Sequence, residues 1–496
     1  LKQNWGAFVF PSIKGGWLII HSQASERLRK IALVVTLGGL LFGVDTGVIN
    51  GALPYMAAPQ QLNLTSAEEG LVTSVITLGA AIGALTAGKL ADRDGRKRIL
   101  CYLAVLFFFG TLFCATAPNA WWLISFRFIL GLAVGGASVI VPTYLAEVAT
   151  AGLRGRLVTQ NELMITGGQL LAFTVNAILG TCFPGVTSIW REMLAFGMLP
   201  AFLLFCGTWF VPESPRWLIM KRRPQAAIAI LDRIRPNHQQ SLAEVQSVTA
   251  ILRRYRNTKA AGLRDLRHPW VRHLVLLGAG LGIIQQFVGI NIMMYYGTSI
   301  LMKVGFGHRA ALVANIGNGL TSFIATAVGM RLMYTVARRR MLLVGIAGTG
   351  CSLLVITLGI LFLGQSRILP LVVIGSTMTF LAFFQSCVSP TTWVLLSEIF
   401  PQQLRGLGIG IATFCLWMAN FLVGFSFPLM MAHWGGGGTF AFFIAFNAVA
   451  WIFSWSFVPE TQGKSLEQIQ LELRAQLQTS SHHHRHHQGN SLQIQS

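Results

Sequence analysis

The chain has 496 residues, of which 53% are hydrophobic and 11% charged, with 52 glycines and a net charge of +21. Its mean hydropathy is +0.59. A soluble domain carries about twice that charge fraction, so the composition excludes an ordinary soluble enzyme and indicates a polytopic membrane protein. The basic excess does not indicate a nucleic-acid binder, because it is concentrated in short links between apolar runs, as in cytoplasmic loops beside anionic lipid.

No signal peptide is expected, since WLII near the start is too short for an h-region. Twelve apolar runs follow, each about 20 residues or more, enough to cross ~30 Å of hydrocarbon. They cover 31–57, 69–91, 99–117, 121–143, 157–181 and 190–211, then 272–300, 310–335, 341–364, 368–396, 407–431 and 438–458. This predicts an all-α membrane protein with twelve transmembrane helices in two six-helix bundles, 31–211 and 271–458. Residues 1–30, the linker 212–270 and the tail 459–496 are predicted to be cytoplasmic. Basic residues mark the even-numbered links: Lys89, Arg93, Arg96, Lys97 and Arg98 after the second run, Arg154 and Arg156 after the fourth, Arg338 to Arg340 after the eighth. By the positive-inside rule those links and both termini face the cytoplasm of the inner membrane.

The first run carries Asp45 in LFGVDTGVING, and the fourth carries Arg127 in SFRFILGLAVGG. Intramembrane charge is the strongest functional pointer in such a chain. A buried acid beside a cation can take up a proton from one side and release it to the other; the competing reading is a structural ion pair. Glu162 and Gln169, seven residues apart in the fifth run (169 − 162), share a helix face.

The linker reads as amphipathic helices, PQAAIAILDRI and LAEVQSVTAILRRY, lying along the membrane face. The seventh run contains QQFVGINIMMYYG, with Gln285, Gln286, Asn291 and Tyr295 and no charge. Unpaired amides cost several kcal/mol in hydrocarbon. They must face protein, water or a ligand, and amides beside aromatic rings suit a neutral, hydroxyl-rich ligand. Interhelical glue is the alternative. Trp393, Trp417 and Asn420 extend this neutral polar set, with lipid or core packing as the rival for the tryptophans. Pro390, Gly289 and Gly297 are candidate kinks.

The halves repeat. Glu147 precedes Arg154-Gly155 by seven positions (154 − 147), and Glu398 precedes Arg405-Gly406 by seven (405 − 398). PESPRW follows the sixth run and PETQGKS the twelfth. Such repeats imply bundles related by a membrane-normal pseudo-two-fold, with a binding site at the midplane between them. Asp92, Arg96, Glu147, Arg154, Glu398 and Arg405 are expected to form charge networks that latch the cytoplasmic face. The seven cysteines show no metal-ligand spacing, and neither disulfides, metal nor cofactor is expected. The tail HHHRHH, 482–487, is expected to be disordered rather than a metal site. With no nucleotide-binding or hydrolase motif, uphill transport would need an ion gradient.

Across about residues 30–470 the chain resembles the sugar porter family of the major facilitator superfamily. The resemblance rests on GKLADRDGRKR, RFILGLAVGG, PTYLAEVATAGLRGR, PESPRWL, QQFVGIN, WVLLSEIFP with QLRG, and PETQGKSLE. LLFGVDTGVINGALP, RGRLVTQNELMI, GQLLAF and TFCLWMANF look most like bacterial proton-coupled myo-inositol symporters. The resemblance implies a monomeric carrier working by alternating access, with protons and a small polyol or monosaccharide as its partners. It implies Asp45 as the proton site, Arg127 as its modulator, and Gln169, Gln285, Gln286, Asn291, Trp393 and Asn420 as sugar contacts, with Trp417 beside the asparagine. Glu162 stands where many sugar porters have glutamine, Leu416 replaces a polar group of some xylose carriers, and Ser322 replaces a common asparagine, with Asn318 one turn away. TVARRRM has Ala337 where a glycine is expected and Tyr334 where an acid is. A hexose or pentose symporter, an uncoupled facilitator and a transporter-like sensor are the alternatives.

Overall fold

The structure is a computed structural model and describes residues 23–255, 263–364, 366–401, 404–462, 464 and 468. The His-rich stretch 482–487 and the side chain of Arg154 lie outside the described residues. All regular elements among the described residues are helices.

Spans one to five are Gln23–Met56, Ser66–Asp94, Arg96–Ala115, Ala120–Val148 and Ala151–Cys182. The sixth is two short helices, Trp190–Ala195 and Met198–Phe210. The seventh breaks into Pro269–Phe287 and Ile290–Lys303, and the eighth and ninth are His308–Thr335 and Arg338–Leu363. The tenth runs Leu369–Phe383, passes through a wide π turn at Phe384–Val388, and continues as Ser389–Ile399. That turn falls immediately before Pro390, where the sequence predicts a kink.

Eleven described helices are long and apolar enough to cross a membrane, yet the fold contains twelve spans. The last helical run, Arg405–Phe457, has 53 residues. At 1.5 Å per residue it would reach about 80 Å, far more than a bilayer needs. Gly435, at φ 65° and ψ −177°, interrupts it and separates the eleventh span from the twelfth. A residue with a side chain would be strained there. Trp434 and Phe442, on either side, bring their rings to 6.2 Å.

Small residues set the spacing within the bundles. A Cβ on Gly79 of the second span would lie 2.1 Å from the Phe128 carbonyl oxygen, and one on Gly131 of the fourth would lie 2.1 Å from that of Ile76. The two backbones touch, as small-residue packing in membranes allows. In the first half, span one packs on five, two on four, and three on six. The second half repeats this, with seven on eleven, eight on ten, and nine on twelve. Spans one, two and five meet seven, eleven and eight across the interface. In the linker, Pro224–Ile234 and His238–Tyr255 are helical, as the amphipathic pattern predicts. Ala227, Leu231 and Ile234 form the buried face of the first.

Candidate functional site

Asp45 and Arg127 meet inside the first bundle. Arg127 Nη1 donates to Asp45 Oδ1 at 3.4 Å. Arg127 is fully buried, and its Nε and Nη2 have no protein partner. Beside the pair lies a void of about 10 Å3 lined by both residues and by Thr111, whose hydroxyl is also unpartnered. A void of that size is about the minimum that holds one water. The pair is thus long, under-satisfied and next to a small void lined mostly by apolar groups. An ion pair serving stability alone gains little over apolar packing unless its remaining donors are satisfied.

The polar wall predicted in the seventh span is built around Gly289. This residue sits at φ 104°, in the left-handed region that favours glycine, and splits the helix. Asn291 Nδ2 donates to Gln286 Oε1 across the split. The carbonyl of Val288, freed by the break, accepts from Asn447 Nδ2 at 3.1 Å, and Thr349 Oγ1 donates to Asn447 Oδ1 at 2.8 Å. The break is therefore supported from the ninth and twelfth spans.

Contacts tie this wall to the first bundle. Trp417 packs edge-on against Phe42 of the first span, with ring centroids 5.8 Å apart. The adjoining Gly43 and Gly47 press on the backbone of Gln169. Leu416 packs at Gly282, one turn before Gln285 and Gln286. Tyr295 Oη donates to Asn420 Oδ1 at 3.5 Å. Among the buried atoms without a partner are Gln169 Oε1, Gln285 Oε1, Trp417 Nε1 and Asn161 Oδ1. Both bundles supply them. Each would cost about 1–3 kcal/mol if it stayed unsatisfied. Asn161 is absent from the predicted set; it lies beside Glu162, and its amide presses on Gly39. Glu162 is half-buried and has no side-chain partner among the described residues. Trp393 stands apart: it is 36% exposed against 5% for Trp417, and it makes no ring contact with the others.

The charge networks form at the linker end of both bundles. Arg96 donates through Nε and Nη2 to both carboxylate oxygens of Glu147 at 3.0 Å, and it also pairs with Asp92 at 2.9 Å. Glu147 accepts from Ser214 as well. In the second bundle the sequence expects both Glu398 and Arg405 in the charge networks, and the structure gives an ion pair to Glu398. The cation at Glu398 is Arg338, at 3.9 Å, while Arg405 Nε is buried without a partner. Arg338 starts the ninth span as Arg96 starts the third, so helix-start position decides the partner.

Sequence reasoning missed the residues that cap these starts. Glu213 of PESPRW accepts from the main-chain N–H of Arg96 and Lys97 at 2.9 and 3.2 Å. Glu460 of PETQGKS accepts from those of Arg338 and Arg339 at 2.9 and 3.1 Å. A carboxylate is favoured at a helix N-terminus. Arg96 Nη1 also reaches the Ala91 carbonyl at 3.0 Å, and Arg338 Nη1 that of Met333 at 2.6 Å, five residues back in each case (96 − 91; 338 − 333). The repeat of the two Pro-Glu motifs held the signal.

Hydrogen bonds between the bundles lie at the other end. Thr73 bonds Tyr296, which in turn donates to the Gly424 carbonyl at 2.7 Å. Asn50 bonds the main chain at Met293, Met294 and Thr298. Among the described residues, no ion pair joins the bundles at the linker end.

Two six-helix halves that repeat one packing scheme, with an ion pair buried inside the first, define a major facilitator carrier rather than an enzyme. The model of the family described as "Sugar (and other) transporter" matches residues 31–473, and the chain belongs to that family. It is 50% identical over 448 residues to the major myo-inositol transporter of Bacillus subtilis (strain 168), covering 90% of this chain and 94% of that protein. It is 38% identical to a D-xylose transporter of Levilactobacillus brevis, covering 88% and 94%. The partially occluded inward-open structure of the E. coli xylose transporter XylE aligns with a TM-score of 0.76 at 31% identity, over 89% of this chain and all of that one.

Proposed function

We propose that this protein imports myo-inositol or a similar cyclitol by proton symport, through alternating access. The carrying observation is the set of partnerless buried atoms Gln169 Oε1, Gln285 Oε1 and Trp417 Nε1, contributed by both bundles. Two amide acceptors and an indole donor beside aromatic faces match a neutral ring dense in hydroxyls. Gln286, Asn291, Tyr295 and Asn420 complete the wall, and Glu162 adds a hydrogen-bonding carboxylate. Asp45 carries the coupling proton and Arg127 modulates it. Arg96, Asp92 and Glu147, together with Arg338 and Glu398, hold each half rigid at the cytoplasmic end while the halves rock. The greater identity to the myo-inositol transporter than to the xylose transporter supports a cyclitol over a pentose. In this reading both termini are cytoplasmic, the membrane is the bacterial inner membrane, and the carrier works as a monomer. Closure at the end remote from the linker, with the likeness to an inward-open relative, supports a state facing the cytoplasm.

The test is uptake of labelled myo-inositol in cells lacking their own inositol carriers, with and without a protonophore. Protonophore-sensitive accumulation is the expected result. Absence of cyclitol uptake beside robust xylose or glucose uptake would move the assignment to a pentose or hexose symporter.

A further inference from the structure

At the linker end of the first bundle lies a cavity of about 550 Å3, lined by none of the residues of the proposed substrate wall. It is bounded by the start of the first span, the start of the third, the end of the sixth and the linker helix Pro224–Ile234. Four cations line it: Arg27, Lys30, Lys97 and Arg233. Among the described residues, no carboxylate does. Lys30 pairs with Glu26 at 2.8 Å, and Lys97 Nζ donates to the Trp209 carbonyl at 3.4 Å. Arg27 and Arg233 make no ion pair among the described residues. The opposite wall is apolar, and its outer edge is Trp209 and Phe210, exposed at 71% and 84%.

The two halves of this wall ask for different solvents. Large aromatic side chains exposed at the end of a membrane span sit at the lipid interface. Clustered Lys and Arg at the same level attract anionic headgroups. A soluble anion would satisfy the cations and leave the aromatic edge unused. An acyl chain alone would do the reverse. We propose that this cavity is a binding site for an anionic phospholipid of the phosphatidylglycerol class. Its phosphate lies between Arg27 and Arg233, with Lys97 behind, and its chains run past Phe210 into the bilayer. The lipid so held touches three spans and the linker at once and ties the linker helix to the first bundle. None of these cations belongs to the central cleft or to the Arg96–Glu147 pair.

The experiment is native mass spectrometry of the purified full chain, titrated with phosphatidylglycerol, with phosphatidylethanolamine, with glycerophosphoglycerol and with inorganic phosphate. The expected result is saturable phosphatidylglycerol binding to a single chain, at least about tenfold tighter than phosphatidylethanolamine. The triple variant Arg27→Gln, Lys97→Gln, Arg233→Gln should lose about a hundredfold, since each headgroup-level charge contributes about fivefold. Arg233→Gln alone, on an exposed helix face, should lose about fivefold and covers the case in which the triple variant fails to fold. Equal affinity for the two lipids, or unchanged affinity in Arg233→Gln, overturns the site. Inorganic phosphate or glycerophosphoglycerol binding as tightly as the lipid reassigns it to a free anion. A lipid-free species of two chains reassigns it to a second copy.

Discussion

Asn50 of the first span donates through Nδ2 to the main-chain carbonyl of Met294 in the seventh, at 2.7 Å. Its Oδ1 accepts from the N–H of Thr298 at 2.9 Å and from the Thr298 hydroxyl at 2.6 Å. One side-chain amide thus grips both ends of a single helical turn in the other bundle. The chain of bonds continues. Asn315 donates to the Thr298 hydroxyl at 2.9 Å, Asn318 to Asn315 Oδ1 at 3.0 Å, and Thr377 to Asn318 Oδ1 at 3.3 Å. Every member is buried. Fully satisfied networks of this kind are strong in low dielectric, and a partly satisfied one is costly.

Asn50→Ala leaves the Met294 carbonyl and the Thr298 donors without this partner. Removing one partner of a buried group costs about 1–3 kcal/mol, here charged to the state closed at this end alone. Cysteine-accessibility labelling at the end remote from the linker should rise about tenfold in the variant. Unchanged labelling would show that the network is structural in both states.

Asp45→Asn removes the titrating group and keeps its shape. Accumulation of substrate against a gradient should vanish, while exchange of labelled for unlabelled substrate across energised or de-energised membranes continues. A variant that still concentrates substrate would rule out Asp45 as the coupling site.

Glu147→Gln should cost far more than Glu398→Gln. The Arg96–Glu147 pair is two-pronged at 3.0 Å, with side chains 6% and 8% exposed, whereas Arg338–Glu398 is a single contact at 3.9 Å with side chains 16% and 28% exposed. Breaking a buried two-pronged pair strands a charge and costs about 3 kcal/mol or more, while a single long contact between partly exposed side chains contributes less. Thermal melts of the two variants in detergent compare them directly. Equal melting temperatures would mean that the halves do not differ in this way.

Trp417→Phe deletes a buried N–H that has no protein partner. If that N–H serves the substrate, affinity falls about tenfold while the fold is kept. Trp393→Phe, at the more exposed ring, should change affinity by about threefold at most. Calorimetric titration of both variants with myo-inositol separates them, and the reverse order would place the ligand nearer the tenth span.

Much of this was legible in the sequence because membrane crossing imposes a length and a polarity that a residue string displays directly. The spans, the isolated Asp45 and Arg127, and the amides around Gly289 all stand out against an apolar background. What stayed hidden depends on who meets whom. Asn50 is one polar residue among several near the end of its span, and only the seventh span's backbone gives it a task. Equal spacing marks Glu398 and Arg405 as a repeat of Glu147 and Arg154 without naming partners; Glu398 meets Arg338, which occupies the Arg96 position. Glu213 and Glu460 were visible as a repeat; their work is done on main-chain groups more than a hundred residues away in sequence, which no local pattern encodes. Gly435 falls in the 432–437 gap between the last two apolar runs, and the near-absence of a loop there leaves only a backbone angle as its trace.

The break at Gly289 has an evolutionary implication. Gln286 and Asn291, on its two sides, share one hydrogen bond, and the segment beginning at Ile290 also carries Tyr296 and Thr298, which bind the other bundle. Under the proposed function, Asn291 of the ligand wall and the residues that bond the other bundle share one short helix, Ile290–Lys303. In that reading, a mutation that retunes ligand preference at Asn291 also changes the timing of closure. Lineages of such carriers can drift in substrate only along paths where both properties survive together, and a laboratory effort to alter selectivity will need paired changes at Asn291 and Asn50.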